Sequence, residues 1–273
     1  MEIPLPRPRP SLRDAATSPA TLAAGLLLLG FLAAPWSVEH KAHLALHGLC
    51  AQRPSHSYWV GDHRLPFDAR MMGIYAGFLA SGIALVAAGA HRRSRAVTIP
   101  WALVLALLIG AMAVDGFNSL LLDMRLWHPY APSNALRAVT GAGTGVALAV
   151  ALCHLVAITV WRRTDRSRFV LSRPRELAGV MSAAMAVCWL IAVAPGWLYA
   201  PVAIALMLSS LGVLATLALV FIVLLRQLDL SFEGIRELQP LLVQAVVIGI
   251  VAMATLSAGR LLAERFLGAT TLT

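Results

Sequence analysis

Charged side chains are scarce in this chain of 273 residues, where they make up 13% of the sequence, against about a quarter in a typical soluble domain. Apolar residues make up 59% and come in long runs, which is the pattern of membrane-embedded segments. The net charge of +9 does not indicate nucleic-acid binding, because no basic soluble domain is present to carry it. The composition instead predicts an integral membrane protein in contact with membrane lipids.

Cysteine is also scarce, and none of the three cysteines has the spacing of a disulfide framework. Cys153 and Cys188 lie within apolar runs, and Cys50 is alone in a polar segment. The N-terminus lacks the order of a signal peptide, because prolines and arginines precede an apolar run without a clear small-residue cleavage site. We therefore expect that run to be a retained membrane helix.

A membrane-spanning helix needs roughly 20 predominantly apolar residues, because the bilayer core is about 30 Å thick and offers no partner to a free amide. Seven segments have this character. They are Pro19–Trp36, Ala69–Ala90, Ile99–Leu122, Leu136–Trp161, Leu177–Ala194, Pro201–Leu225 and Pro240–Leu262. The predicted fold is an all-α integral membrane protein, a bundle of about seven transmembrane helices.

The predicted spans divide the chain into four regions. Residues 1–18 are a predicted cytoplasmic tail, and residues 19–161 a motif-bearing transmembrane half with an outer loop at 37–68. Residues 162–176 are a basic cytoplasmic loop, and residues 177–273 carry the C-terminal transmembrane helices. Fourteen of the 22 lysines and arginines then lie on one side. Because positive residues favour cytoplasmic loops, we predict a cytoplasmic N-terminus and an extracytoplasmic C-terminus in the inner or plasma membrane.

The outer loop is rich in histidine and longer than most loops in compact proteins. Its histidines and cysteine are His40, His43, His47, Cys50, His56 and His63. Imidazole and thiolate together suit zinc or copper, and His47, Cys50 and His56 are the weak candidates for a metal site. Decoration of an interfacial loop explains the same residues, so a metal is not favoured and the sequence identifies no cofactor.

Charged and amide side chains recur at the outer ends of three successive predicted helices. Asp68 and Arg70 stand at the start of the second helix, Asp115 and Asn118 near the end of the third, and Arg137 at the start of the fourth. Alternating helix directions bring these ends to the same side of the membrane. Since a lone charge inside the bilayer costs about 2.5–3.5 kcal/mol, we expect Asp115 to face a partner, with Arg70 and Arg137 as candidates.

Glycines spaced four residues apart accompany both arginines. They are Gly73 and Gly77 after Arg70, and Gly141 and Gly145 after Arg137. Such stripes let helix backbones approach closely, so we expect the second and fourth helices to pack through them and to bring the guanidinium groups together. Two arginines beside one buried carboxylate suit a phosphate or carboxylate ligand. A purely structural ion network is the alternative.

Four motifs in the region 47–145 resemble a known family. They read Cys50-Ala-Gln52-Arg-Pro54-Ser-His56-Ser57-Tyr58, Leu65-Pro66-Phe-Asp-Ala69-Arg70-Met-Met-Gly73-Ile74-Tyr75, Asp115-Gly116 and Ser133-Asn134-x-x-Arg137-x-x-Thr140-Gly141. Their order and spacing resemble a prokaryotic family of predicted polytopic membrane proteins, the domain of unknown function number two thousand and eighty-five. The resemblance implies the membrane architecture and the location of a site, and it implies no established activity.

The chain departs from the family pattern at positions where the family has histidine or cysteine. Ala51 replaces a histidine, Asp68 replaces a cysteine, and a further frequent cysteine corresponds to Met71 or its neighbour. The retained positions are Cys50, Gln52, Arg70, Gly73, Tyr75, Asp115 and Arg137. The resemblance therefore implies chemistry by arginine and aspartate in this chain, in preference to cysteine chemistry.

Three functions fit these residues, and the sequence leaves open whether the protein is an enzyme. The first is binding or processing of an anionic lipid or lipid-linked headgroup, with Asp115, His56 and His63 as candidate catalytic groups. The candidate ligand-binding residues are Arg70, Arg137, Asp115, Asn118, Asp68, Gln52 and Tyr75. The second is a non-catalytic accessory or assembly subunit with a membrane-protein partner. The third is a transporter subunit, although the chain shows no clear inverted repeat or pair of broken helices.

Overall fold

The computed structural model describes residues 11 and 15–267, so the arginines of the predicted tail, Arg7, Arg9 and Arg13, lie outside the described residues. The helices are α1 (Pro19–Ala33), α2 (Val38–Leu46), α3 (Ala69–Ala87), α4 (Ile99–Asp123), α5 (Asn134–Thr159), α6 (Pro174–Ala192), α7 (Tyr199–Leu225) and α8 (Ile235–Leu267). Two strands, β1 (Ser57–Val60) and β2 (His63–Asp68), form an antiparallel hairpin between α2 and α3.

Six helices of the described residues, α3 to α8, are long and apolar enough to cross a membrane. The chain is therefore a mainly helical multi-pass membrane protein. Helix α1 is apolar but has 15 residues and is about 22 Å long at 1.5 Å per residue, so the predicted count of about seven spans is not confirmed. It ends before Trp36 because Pro35 disfavours helical geometry in the preceding residue, and Ala34 has an extended ψ of 136°.

Consecutive long helices run in opposite directions, which gives the bundle two distinct ends. We call the end with the hairpin, the start of α3 and the end of α4 the motif end. The opposite end, called the arginine end, holds the loops 88–98, 160–173 and 226–234, which are joined by the bridges Arg93 with Asp165 and Trp161 with Phe232. Helix α8 returns to the motif end, where Arg260 donates to the carbonyl of His47.

Helices α3 and α5 pack backbone against backbone at the centre of the bundle. A Cβ atom added to any one of four glycines would lie within 3.0 Å of backbone atoms of the facing helix. These glycines are Gly73, Gly77, Gly141 and Gly145. The predicted packing through the two glycine stripes is confirmed, and it sets the distance between the helices that carry Arg70 and Arg137.

The outer loop contains a helix and a β-hairpin that the sequence analysis did not predict. Tyr58, Trp59 and Val60 are good strand formers, and the two-residue turn that follows contains Gly61 with φ of +62°, a region that glycine adopts without steric cost. The turn lies against Gly196 at the start of α7, where a Cβ on Gly61 would meet backbone. The hairpin thereby links the motif-bearing half to the C-terminal helices.

Candidate functional site

Helix α3 begins directly beside the site because Asp68 caps it. The Oδ1 atom of Asp68 accepts a hydrogen bond from the Met71 amide at 2.9 Å. Arg70, in the first turn, extends to α4, where its Nη2 atom donates to Asp115 Oδ2 at 2.6 Å and to Ser119 Oγ at 3.2 Å. The side chain of Asp115 is 1% exposed and that of Arg70 is 21% exposed. Arg70 is thus the charged partner that Asp115 was expected to have.

Tyr130, in the loop between α4 and α5, completes the surroundings of Asp115. Its hydroxyl donates to Asp115 Oδ1 at 3.2 Å, and its backbone carbonyl accepts from Asn118 Nδ2 at 2.9 Å. Burial and the neighbouring Asp115 carboxylate raise the pKa of the Tyr130 phenol above its ordinary value, so it remains a donor at neutral pH. We call Arg70, Asp115, Asn118, Ser119, Tyr130 and Arg137 the Arg70 cluster.

The polar side chains of helix α4 face the interior of the bundle, and its apolar side chains are exposed. Its buried residues are Asp115, Asn118 and Ser119, while apolar side chains such as Leu107 and Val114 are more than half exposed. In a bilayer the apolar side faces lipid at little cost, whereas the buried polar groups need partners in the protein. The polar contacts of Arg70 and Tyr130 therefore attach this end of α4 to the bundle.

Arg137 is buried without a carboxylate partner. It is 5% exposed, and its Nη1 atom donates to Asn134 Oδ1 at 2.8 Å. Among the described residues, no carboxylate oxygen lies within 4.0 Å of its guanidinium group. Arg70, Asp115, Asp123 and Asp68 lie within electrostatic range of it. The structure therefore brings two cations together near three carboxylates, of which Asp115 is paired with Arg70 and Asp123 with Arg53.

Three buried polar atoms of the cluster lack hydrogen-bond partners among the described residues. They are Arg70 Nε, Arg137 Nε and Asn118 Oδ1. Such orphaned groups are uncommon in folded proteins, because each loses its bonds to water without replacement. Two donors and one acceptor of the cluster therefore lack a partner in the described part of the protein.

His56 lies at the edge of the cluster, on the side of Arg137. Its Nε2 atom is 3.9 Å from Asp123 Oδ1, and Asp123 is also paired with Arg53. Burial, followed by the nearby positive charge of Arg137, lowers the pKa of His56 below its ordinary value. The imidazole is consequently neutral at pH 7 and able to accept a proton.

Three residues that the sequence analysis assigned to the site lie elsewhere: His63, Tyr75 and Gln52, of which Gln52 belongs to a second polar group, around His47. His63 bonds to Glu39 Oε2 at 2.8 Å, and its ring lies 5.0 Å from that of Tyr199. Tyr75 stacks on Phe67 with ring centroids 4.9 Å apart. Position 75 is five residues after Arg70 on α3, which places it about 140° around the helix from Arg70. Its side chain consequently belongs to the core and faces away from Asp115.

A second polar group at the motif end, called the His47 network, comprises His47, Gln52, Arg260 and Glu264. The Gln52 amide nitrogen donates to the carbonyls of His43 and Pro66 at 2.9 and 3.0 Å. Its Oε1 atom lies 3.3 Å from His47 Nδ1, and His47 Nε2 lies 2.9 Å from Glu264 Oε2.

Helix α8 closes this network from the C-terminal half. Arg260 Nε donates to Glu264 Oε1 at 2.8 Å, and its Nη1 atom donates to the carbonyls of His47 and Cys50. The sequence analysis missed both residues. The available signal was a pair of opposite charges four residues apart on an otherwise apolar helix.

Cys50 links the His47 network to the start of α3. Its thiol donates to Asp68 Oδ2 at 3.4 Å, and its sulfur accepts from the amides of Gln52 and Asp68 at 3.3 Å each. Burial and the Asp68 carboxylate raise the pKa of Cys50 to about 12, so the thiol is protonated at neutral pH.

The three weak metal candidates have separate partners. His47 faces Gln52 and Glu264, Cys50 faces Asp68, and His56 faces Asp123. Over the part of the chain that the structure describes, no group of three or more histidine, cysteine, aspartate or glutamate side chains could hold a metal ion.

A known protein family matches the part of the chain that contains the Arg70 cluster. The segment 50–151 matches the family described as "Predicted membrane protein (DUF2085)". The match confirms the resemblance seen in the motifs. It includes the whole Arg70 cluster together with Cys50, Gln52 and Asp68, whereas Arg260 and Glu264 lie beyond the DUF2085 segment. No curated protein and no solved structure matches the chain.

Proposed function

We propose that the Arg70 cluster binds the anionic headgroup of a lipid or of a lipid-linked molecule. The observation that carries the proposal is Arg137, a guanidinium group 5% exposed and without a carboxylate partner in the described residues. Burying a charge without a partner costs several kcal/mol. A phosphate or carboxylate beside Arg137 would supply the missing counter-charge.

The unpartnered atoms suit the chemistry of such a headgroup. Arg70 Nε and Arg137 Nε are donors for two oxygens of one phosphate, a geometry that guanidinium groups favour. Asn118 Oδ1 accepts from a hydroxyl or amine of the same headgroup. Asp115 holds Arg70 in place through the 2.6 Å contact. If a reaction follows binding, the neutral His56 is the group placed to accept a proton.

The proposal includes a topology. Helix α1 begins near the arginine end, where Ser18 and Thr21 line a cavity with Gln244 of α8, and near its other end the Leu32 carbonyl accepts from Lys41. This course supports α1 as a seventh pass. The excess of positive residues at the arginine end supports a cytoplasmic location for that end. The motif end, the Arg70 cluster and the C-terminus then face outward from the inner or plasma membrane.

Removing the unpaired cation tests the proposal. The purified protein in detergent is titrated with phosphatidylglycerol, with phosphatidylcholine and with inorganic phosphate, and binding is followed by native mass spectrometry and by the melting temperature. We expect Arg137→Gln to weaken binding of the anionic species at least about tenfold, since a charged hydrogen bond contributes about 1.5–3 kcal/mol. Binding of inorganic phosphate with an affinity similar to that of phosphatidylglycerol would show that the acyl chains are not needed for recognition.

The matched control is Arg125→Gln, which removes the same charge from an exposed position at the motif end. It should bind as the parent does. Arg137→Gln should melt at or above the temperature of the parent, because it removes a buried unpaired charge. Parent-like anion binding by a folded Arg137→Gln protein would contradict the proposal.

A second candidate function is a non-catalytic accessory or assembly subunit. The observation that favours it is α4, whose apolar side chains are exposed on the side away from the polar contacts and offer a surface to a partner helix as readily as to lipid. Isolation of a stable complex from native membranes, lost on Leu107→Arg, would support it. A transporter subunit has less support, because the Arg70 cluster lies at one end of the bundle.

A further inference from the structure

A basin lined by arginines lies at the arginine end, opposite the Arg70 cluster. It has a volume of about 470 Å³ and lies between the start of α4, the loop 160–173 and the start of α6. Its charged lining residues are Arg95, Arg168, Arg173, Arg175 and Glu176. The sequence analysis assigned this loop a role in topology alone, yet the structure arranges it into a cavity.

Backbone hydrogen bonds hold two walls of the basin together. The amide of Arg95 donates to the Arg168 carbonyl at 3.0 Å, and the amide of Ser94 donates to the Asp165 carbonyl at 3.0 Å. The amide of Asp165 donates in return to the Arg92 carbonyl at 2.8 Å. Two loops that are distant in sequence thus pair like strands, which fixes the backbone that carries Arg95 and Arg168.

The one carboxylate in the lining is already occupied. Glu176 Oε1 accepts from Arg93 Nη1 at 3.0 Å, and Glu176 Oε2 accepts from the amides of Ser172 at 2.6 Å and Arg173 at 3.2 Å. The nearby Asp165 accepts from Ser167 through its Oδ1 atom.

The four arginines of the basin therefore form no close ion pair within the described residues, although Asp165 interacts electrostatically with Arg168. Within the described residues, no carboxylate lies within 4.0 Å of the guanidinium groups of Arg95, Arg168, Arg173 and Arg175. The basin and its rim thus hold five arginines, counting Arg93, and two carboxylates, Glu176 and Asp165, which are already hydrogen-bonded.

The basin combines this charge with apolar surface at the depth of lipid headgroups. Trp101, in the first turn of α4, lines it together with the buried Phe169 and Leu171. Helices α4 and α6 are candidate membrane spans that begin at Ile99 and Pro174. Tryptophan near the end of a span favours the membrane interface, so we expect the arginines to lie near the phosphates of the adjacent leaflet.

We propose that this basin is a defined binding site for an anionic phospholipid, whose phosphate the four guanidinium groups hold and whose apolar part lies beside Trp101. Basic pockets between membrane helices bind such headgroups through charge and bidentate hydrogen bonds. The site is separate from the Arg70 cluster and does not depend on the function proposed for it.

Paired variants of equal charge test the site. Full-length protein in detergent is titrated with phosphatidylglycerol, phosphatidylcholine and inorganic phosphate, both in the parent and in the Arg137→Gln background, and bound lipid is counted by native mass spectrometry. Arg168→Gln/Arg175→Gln should remove one bound phosphatidylglycerol in both backgrounds, and should weaken its binding at least about tenfold in the Arg137→Gln background, where the basin is the remaining proposed site. The control Arg166→Gln/Arg236→Gln removes two exposed charges of the arginine end outside the basin and should change affinity less than about twofold.

Several results would overturn the proposal. In the Arg137→Gln background, equal phosphatidylglycerol affinity with and without the two basin substitutions would exclude the site. An equal loss in the control variant would mean diffuse attraction to a positive surface, and equal binding of phosphatidylcholine would remove the requirement for an anionic lipid. Displacement of the lipid by millimolar inorganic phosphate would make this a site for small anions. Melting temperatures within a few degrees of the parent check that each variant is folded.

Discussion

The Arg70 cluster and the His47 network lie at the same end of the bundle but differ in how completely their polar groups are satisfied. In the His47 network, both ring nitrogens of His47 and both carboxylate oxygens of Glu264 have partners in the protein. In the Arg70 cluster, Arg70 Nε, Arg137 Nε and Asn118 Oδ1 are buried without one. A network that is complete in itself stabilises the fold, whereas an incomplete one has capacity left for a ligand.

The two regions also differ in what they connect. The Arg70 cluster joins α3, α4 and α5, all within the segment that matches DUF2085. The His47 network joins the outer loop to α8, beyond that segment. We infer that the C-terminal helix holds the outer loop in place, and that the loop in turn positions Asp68 and the start of α3. Variants that change stability without changing anion binding, or the reverse, test whether the two regions have different roles.

The largest effect is expected from breaking the central ion pair. Asp115→Asn leaves the mostly buried Arg70 without its carboxylate and should cost about 3 kcal/mol of stability, measured as a lower melting temperature in detergent. The double variant Arg70→Gln/Asp115→Asn should recover a large part of that loss, because it removes both charges. A parent-like melting temperature for Asp115→Asn would mean that this pair does not attach α4 to the bundle.

The next largest effect is expected at the contact between α3 and α5. Gly141→Ala would place a Cβ against the Arg70 carbonyl and should cost about 2 kcal/mol by forcing the helices apart, with weaker anion binding because both arginines move. Gly110→Ala on α4 is the matched control, since nothing lies within 4 Å of its added Cβ. It should be neutral or slightly stabilising, and an equal loss in the control would undermine the packing argument.

A smaller effect should separate the two regions. Glu264→Gln removes the charge that bonds to His47 and Arg260 and should cost about 1.5 kcal/mol while leaving anion affinity within about twofold of the parent. The comparison is with Arg265→Gln, one exposed residue further along α8, which should change neither quantity. Loss of anion binding in Glu264→Gln without a change in melting temperature would show that the two regions act as one site.

The smallest effect concerns pH. Because the pKa of His56 in the folded state lies below its ordinary value of 6.5, the unfolded chain takes up this proton first as the pH falls. The contribution of His56 to stability is complete above about pH 6.5 and is lost as the pH falls towards the folded pKa. When the pH is lowered from about 7.5 to about 5, the melting temperature of His56→Gln should therefore decrease less than that of the parent. His128→Gln, at a second histidine of the motif end, should behave as the parent does.

Local patterns were sufficient for much of this fold and for part of its site. Long apolar runs identified all six candidate spans, since the need to bond every backbone amide leaves few alternatives in a bilayer. The glycine stripes identified the contact of α3 with α5, because close approach requires small residues at that spacing. Asp115 was assigned a charged partner because a lone carboxylate is too costly in an apolar surrounding.

The remaining features depended on contacts between distant parts of the chain. Nothing local to His47 identifies Glu264, more than 200 residues away, as its partner, and nothing near Arg137 shows that it lacks one. The outer loop is attached to the C-terminal half because its turn meets Gly196 and the His47 carbonyl accepts from Arg260 of α8. Composition and periodicity thus determined which segments enter the membrane, because that depends on transfer of each segment from water. Which polar groups have hydrogen-bond partners and which have none depends on the tertiary structure, because hydrogen bonds depend on distances that sequence separation does not determine.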